Sequence, residues 1–160
     1  MKILAAGDVP ADRLLAHVTE TWHADFVVAH GEQIHLVELP GFVAVDGERI
    51  AGHAAYRIDA QDCELVAIAV EPRRTGIGSR LMDRVISVAR EAGCRRVWLT
   101  TTNDNLDALR FYQRRGFQLC ALRAGVVVEA RRTLKPDLPA TGAYDIPMRD
   151  ELDLELALSS

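Results

Sequence analysis

The sequence predicts a single domain of the mixed α/β (α+β) class, and three observations carry that prediction. At 160 residues the chain has the length of one domain able to bury its own core. Helical and strand periods alternate in blocks along it, with no internal repeat and no low-complexity tract. One strand block, ELVAIAV at 64–70, is apolar on both faces, as a central strand covered from both sides is.

Each element has its own local reason. Residues 11–22, ADRLLAHVTETW, put Leu14, Leu15, Val18 and Trp22 on one side of a helix. Residues 26–29 and 34–39 read as extended, and Pro40-Gly41 breaks the chain after them. FVAV at 42–45 and IAGHAAYRI at 50–58 form an antiparallel hairpin, because Asp46-Gly47 supplies the positive φ of a tight turn. Residues 59–62 turn the chain into ELVAIAV, which Pro72 ends. From Ile77, the residues Leu81, Met82, Val85, Val88, Ala89 and Ala92 recur at helical spacing, with Gly93 as the C-terminal cap. RVWLTTT at 96–102 is a β-branched and aromatic strand, and Asn103-Asp104-Asn105 caps a helix carrying Ala108, Leu109, Phe111 and Tyr112 that Gly116 stops. FQLCALR at 117–123 is a further strand, 136–147 is irregular, and ELDLELAL alternates strictly, so its leucines line one side of a half-buried strand.

Composition narrows the function classes. With 49% apolar and 26% charged residues, and no apolar stretch of the roughly 20 residues a bilayer requires, the chain reads as a globular protein without a membrane partner. The opening MKILAAGDVPAD has too short an apolar run for a signal peptide, which places the protein in the cytoplasm. Its net charge of −4 argues against nucleic acid and anionic lipid. Cys63, Cys94 and Cys120 show neither CxxC nor His at ligand spacing, so no metal is expected and the thiols read as free and buried. The pairs Arg95-Arg96 and Arg131-Arg132 read as solvated surface.

The stretch RRTGIGS at 73–79 stands between a strand and a helix. A glycine turn at a helix head presents unpaired backbone N–H groups at the positive end of the helix dipole, which is an anion site. Gly76 and Gly78 permit close approach, and Arg73 and Arg74 add charge suited to phosphate. Leu81 stands where a dinucleotide fingerprint needs glycine, and the Gly-Lys-Ser/Thr of a P-loop is absent. By the turn alone, a strand-to-helix connection that binds nothing is equally compatible.

A second block follows: Asn105-Leu106-Asp107-Ala108, then Tyr112, then Gly116-Phe117. With Arg73-Arg74-Thr75-Gly76-Ile77-Gly78 it resembles the GNAT N-acetyltransferase family, whose motifs are Arg/Gln-x-x-Gly-x-Gly/Ala and Asn-x-x-Ala-x-x-x-Tyr with a later Gly-Phe. The specific resemblance runs from Glu64 to Phe117, and the loop entering the glycine turn is two residues shorter than the family commonly has.

The resemblance implies one GNAT domain over 1–160, with a mixed, mostly antiparallel central sheet flanked by helices, a splayed parallel strand pair at the cofactor site, and 129–160 as a C-terminal extension. It further implies that acetyl-CoA lies between the ELVAIAV and RVWLTTT strands. Its pyrophosphate would rest on residues 74–79, including Thr75, Ile77 and Ser79, and its pantetheine would pair with backbone near Ile68 to Val70. Asn105 faces the CoA in the family, although its position makes helix capping the first reading. The reaction implied is direct attack of a primary amine on the thioester, with Tyr112 as the acid beside the sulfur and Glu64, or a water, as the base. The competing readings are simple packing for Tyr112 and a strand-end surface charge for Glu64; His53 and Glu71 are alternative bases, and a lone strand histidine such as His53 reads first as a satisfied structural residue. A non-catalytic acyl-CoA sensor is the alternative function. The amine acceptor is not identified by any motif. For Glu129 to Arg149 and the alternating tail, covering the acceptor pocket, pairing with a second subunit as a homodimer through an exposed edge, and plain surface wrapping all fit.

Overall fold

Alternation, turns and caps resolve into nine strands and four helices among the described residues of a computed structural model, which describes residues 1–72 and 75–158. In chain order they are β1 (Lys2–Ala5), α1 (Ala11–Trp22), β2 (Phe26–Ala29), β3 (Glu32–His35), β4 (Gly41–Asp46), β5 (Arg49–Asp59), β6 (Asp62–Val70), α2 (Ile77–Glu91), β7 (Arg96–Thr102), α3 (Leu106–Arg114), β8 (Gln118–Arg123), α4 (Val126–Thr133) and β9 (Glu151–Ala157). Arg73 and Arg74 lie outside the described residues. The mixed α/β class with largely antiparallel strands is the one expected. No helix among the described residues is long and apolar enough to cross a membrane.

The chain divides into two compact units. The first comprises Met1–Val27, His35–Val97 and Leu158–Ser160, and the second Val28–Ile34 and Trp98–Ala157. β6 belongs to the first, and β7 passes from the first into the second after Val97.

In the first unit β1, β4, β5 and β6 are neighbours in that order, each pair antiparallel. Gly47, at φ +63, makes the β4–β5 turn as the Asp-Gly pair predicted. β1 was not foreseen: a four-residue strand is too short to show a period. Residues 36–38 form a short 3-10 turn where an extended segment was expected. On α1, Leu14 and Val18 are buried but Leu15 is exposed, since positions four apart share a face and Leu15 sits about 100° away from Leu14. α2 buries Ile77, Leu81, Met82, Val85, Ile86 and Ala89. It ends as predicted at Gly93, where φ +77 lets the Cys94 N–H reach Ala89 O at 2.9 Å and the Gly93 N–H reach Arg90 O at 3.0 Å.

In the second unit β7, β9 and β8 are neighbours in that order, with β8 and β9 antiparallel. The tail strand is therefore an interior strand and not the exposed edge; that edge is β8. Its alternation was also misread, because β9 buries Glu151 and Asp153 as well as Leu154. The helix α4 was not foreseen. Its head is held by a hydrogen bond from the Gly125 N–H to Asp150 Oδ1 at 2.8 Å, and Arg131 donates to Leu138 O, Pro139 O and Met148 O. Arg131 thus anchors the irregular segment instead of standing in solvent. Arg95 and Arg96 pair with Asp62, and Cys120 is exposed while Cys63 and Cys94 are buried.

Candidate active site

The first unit supplies the head of α2. Gly76 is its N-cap at φ +83, and no side chain caps it and no acid occupies its first turn. The first amide bonded back into the helix is that of Arg80, to Gly76 O at 3.1 Å, so the amides of Ile77, Gly78 and Ser79 form the donor end of the helix. A Cβ built on Gly76 would meet nothing within 4 Å, which leaves room for a ligand against the backbone. Thr75 is exposed and donates to Pro72 O at 3.2 Å. This geometry suits a pyrophosphate.

Close packing fixes where that head stands. A Cβ on Gly52 of β5 would lie 2.9 Å from Val70 Cγ1, 3.0 Å from Leu81 Cδ1 and 3.1 Å from Ile77 Cγ2. Glycine at 52 therefore lets α2 settle onto β5 and β6, and the Glu71 N–H continues the pairing to Ala51 O at 2.9 Å. Ile68 and Val70 are half-buried and pair with Ala54 and Gly52.

β6 carries a bulge. Ala55 pairs with Ala67 but Tyr56 with Leu65, so Val66 has no opposing residue. Opposed residues share a face, and the bulge brings Glu64 opposite Arg57 where an unbroken register would bring Leu65. Glu64 thereby joins the face of His53 and Arg57, opposite the one that meets α2. It is not a solvent-facing strand end: it is 5% exposed, and Arg57 Nε donates to its Oε1 at 2.8 Å. On the same face His53 is 3% exposed with Nε2 lacking any hydrogen-bond partner, so it is not a satisfied structural histidine. Burial, and then the charge of His17 on α1, push its pKa down to about 4. Glu71 is exposed. Burial raises the Cys63 thiol to about 12, with Cys94 and Glu64 adding to it, which leaves it unreactive.

Asn105 and Tyr112 lie in the second unit. Asn105 caps α3 as its position predicted, its Oδ1 accepting from the Ala108 N–H at 3.3 Å. Tyr112, two turns further on, is buried between the rings of Phe111 and Phe117 at centroid distances of 5.4 and 5.7 Å. Burial pushes its phenol above the ordinary value of 10.0, so it stays protonated at neutral pH.

Sequence reasoning missed a charged network in this unit. Arg123 binds Asp153 through NH1 and NH2 at 2.7 and 2.6 Å and reaches Glu151 Oε1 at 3.1 Å through Nε. Thr100, within the RVWLTTT strand, donates to Asp153 Oδ1 at 2.7 Å, and the His30 N–H donates to Glu151 Oε1 at 2.9 Å. Burial opposes ionisation of Asp153, but the hydrogen bonds from Arg123 and Thr100 outweigh it and hold the carboxyl below its usual range. The one available signal was the acidic phase of ELDLELAL. Among the described residues no group of three or more His, Cys, Asp or Glu side chains could hold a metal ion.

Comparison with known proteins follows the same lines. The Acetyltransferase (GNAT) family matches residues 11–117. The uncharacterised protein YdhI of Bacillus subtilis (strain 168) is 42% identical over 116 residues, 72% of each chain. YxbD of the same organism, also uncharacterised, is 33% identical over 153 residues, 95% of this chain and 96% of its own. Streptothricin acetyltransferase of Streptomyces lavendulae is 37% identical over 108 residues, 61% of this chain and 57% of its own. Among solved structures, a Bacillus subtilis acetyltransferase in complex with CoA matches with a TM-score of 0.73 at 20% identity, covering 99% of both chains, a likeness of fold.

Proposed function

The chain belongs to the acetyltransferase (GNAT) family and uses acetyl-CoA, and on that premise we propose that it acetylates a primary amine by direct attack within a ternary complex. The observation that carries the reading is the bare head of α2, whose glycine N-cap leaves open space beside unpaired amide donors. Gly76, Ile77, Gly78 and Ser79 hold the pyrophosphate through backbone N–H groups, with Thr75 beside it. Backbone near Ile68 and Val70 takes the pantetheine, and Asn105 faces the cosubstrate while it caps α3.

Glu64, directly or through a water, accepts the proton that the amine must lose. Arg57 orients that carboxylate through the 2.8 Å hydrogen bond to Oε1. The amine nitrogen then forms a bond to the thioester carbon, the C–S bond breaks, and the sulfur takes a proton from the phenol of Tyr112.

The experiment is thiol release from acetyl-CoA with pooled small amines and peptides, wild type beside Tyr112→Phe. Release that depends on an acceptor pool and falls on the order of 10²-fold in kcat in the variant supports the assignment. An unchanged kcat in a folded variant removes Tyr112 as the acid. Tight CoA binding with no release in any pool would overturn the amine acceptor.

A further inference from the structure

We propose that His53 is a specificity-determining residue of the acceptor site: on the face of β5 and β6 that carries Glu64, its Nε2 hydrogen-bonds a neutral hydroxyl or amide group of the amine to be acetylated. The assignment deepens the acetyl-transfer reading and rests on it. His53 stands among small apolar residues. Ala69 opposes it on β6 and Val43 on β4, and the next residue along the same face of β5 is Ala55, itself opposed by Gly41 and Ala67. The imidazole therefore rises from a low apolar floor, 3% exposed and with Nε2 unpartnered.

A strip of small residues says nothing about a ligand by itself, but a buried nitrogen left open on it does. Such an atom lowers stability until something fills its hydrogen bond, and leucine at the same position would avoid that loss. Groups of this kind persist where function uses them. The position of His53 fits such a use. Ala69, its opposing residue, is half-buried and lies within the Ile68 to Val70 stretch assigned to the pantetheine. Neighbouring strands are about 4.8 Å apart, so the imidazole is one strand away from that stretch. Ala55 and Ala67 come next on the face, and then the Arg57–Glu64 pair. An amine lying over these alanines has Glu64 towards one end and His53 towards the other.

Charge selects the chemistry of the partner. Burial lowers the pKa of His53 and of its neighbour His17 on α1, so both imidazoles are neutral at pH 7. A neutral imidazole bonds a hydroxyl or an amide in either tautomer. A second ammonium would leave water for a neutral partner, which is costly, and a bare alkyl chain would leave Nε2 as open as before. The acceptor class is thus an amine that also carries a hydroxyl or amide.

The test is thiol release from acetyl-CoA with amines of matched chain length, 3-amino-1-propanol, n-butylamine and 1,3-diaminopropane. Wild type, His53→Leu and His53→Gln are compared, and each is also melted. Wild type is expected to favour the amino alcohol over the other two by about 10-fold or more in kcat/KM. His53→Leu should erase that preference by raising KM for the amino alcohol about 10-fold, with KM for acetyl-CoA unchanged, while melting no lower than wild type. His53→Gln, which keeps a polar tip, should restore part of the preference. A histidine that only satisfies an internal water behaves in the opposite way: its leucine variant melts lower and keeps the acceptor KM. That pairing, or a wild type without preference among the amines, would overturn the proposal. Failure of the acetyl-transfer reading has its own signature, acetyl-CoA bound in calorimetry and no thiol released by wild type with any amine or peptide, and it would overturn both.

Discussion

Acidification should destabilise this protein through one interior imidazole. His53 is buried on β5, its Nε2 lacks a partner, and burial followed by the charge of His17 lowers its pKa from 6.5 to about 4. As pH falls, the unfolded chain takes up this proton first. The folded state is penalised progressively between pH 6.5 and 4, and no penalty is present above that window. A fall of that size corresponds to about 3 kcal/mol, a large share of the roughly 5–15 kcal/mol that holds an ordinary domain. His53→Leu removes both the titration and the orphaned nitrogen. It is expected to raise stability at pH 7 by about 1 kcal/mol, because an unsatisfied buried polar atom is lost, and to flatten the acid slope. Urea denaturation followed by circular dichroism at pH 7.5, 5.5 and 4.5 reads both quantities, and subtracting the variant from wild type cancels the carboxylates common to both. Parallel stability curves for the two proteins would show that His53 finds a proton partner in solution and would refute the reasoning.

Two glycines around the head of α2 should fail for different reasons. Gly52→Ala forces a methyl to within 2.9 Å of Val70 Cγ1 and should cost about 1–3 kcal/mol while displacing the head of α2, so CoA affinity by calorimetry should fall with the melting temperature. Gly76→Ala meets no atom within 4 Å but imposes φ +83 on a residue with a side chain, for about 1–2 kcal/mol; a Val70→Ala background should relieve the first variant and leave the second unchanged. Glu64→Gln keeps the oxygen that faces Arg57 and should lower kcat/KM by about 10²-fold or more with loss of the acidic limb of the rate profile. An unaltered profile would leave the base to be found elsewhere.

Legibility followed the range of the causes. The helix α2, its cap at Gly93, the Gly47 turn and the Asn105 cap each depend on atoms within about one turn of chain, and all are plain in the letters. α4 was missed because VVVEARRT opens on three β-branched residues that disfavour a helix, while Asp150 and the carbonyls around 138–148 hold it from a distance. For β9, alternation gives two faces and a half-buried strand without saying which face is covered. Its position between β7 and β8, beside Arg123 and Thr100, covers the acidic one.

By itself, the sequence determined the fold class, the family motifs and the glycine turn at the head of α2, since backbone conformation at glycine, helix capping and hydrophobic period are set by neighbours along the chain. Tertiary structure alone decided the register shifts at Val66 and at Cys120, and with them which side chains share a face. A side-chain period of two makes one extra residue enough to reverse every direction beyond it. Glu64 beside Arg57, and Leu119 in line with Leu122, exist only once one strand has been laid against another.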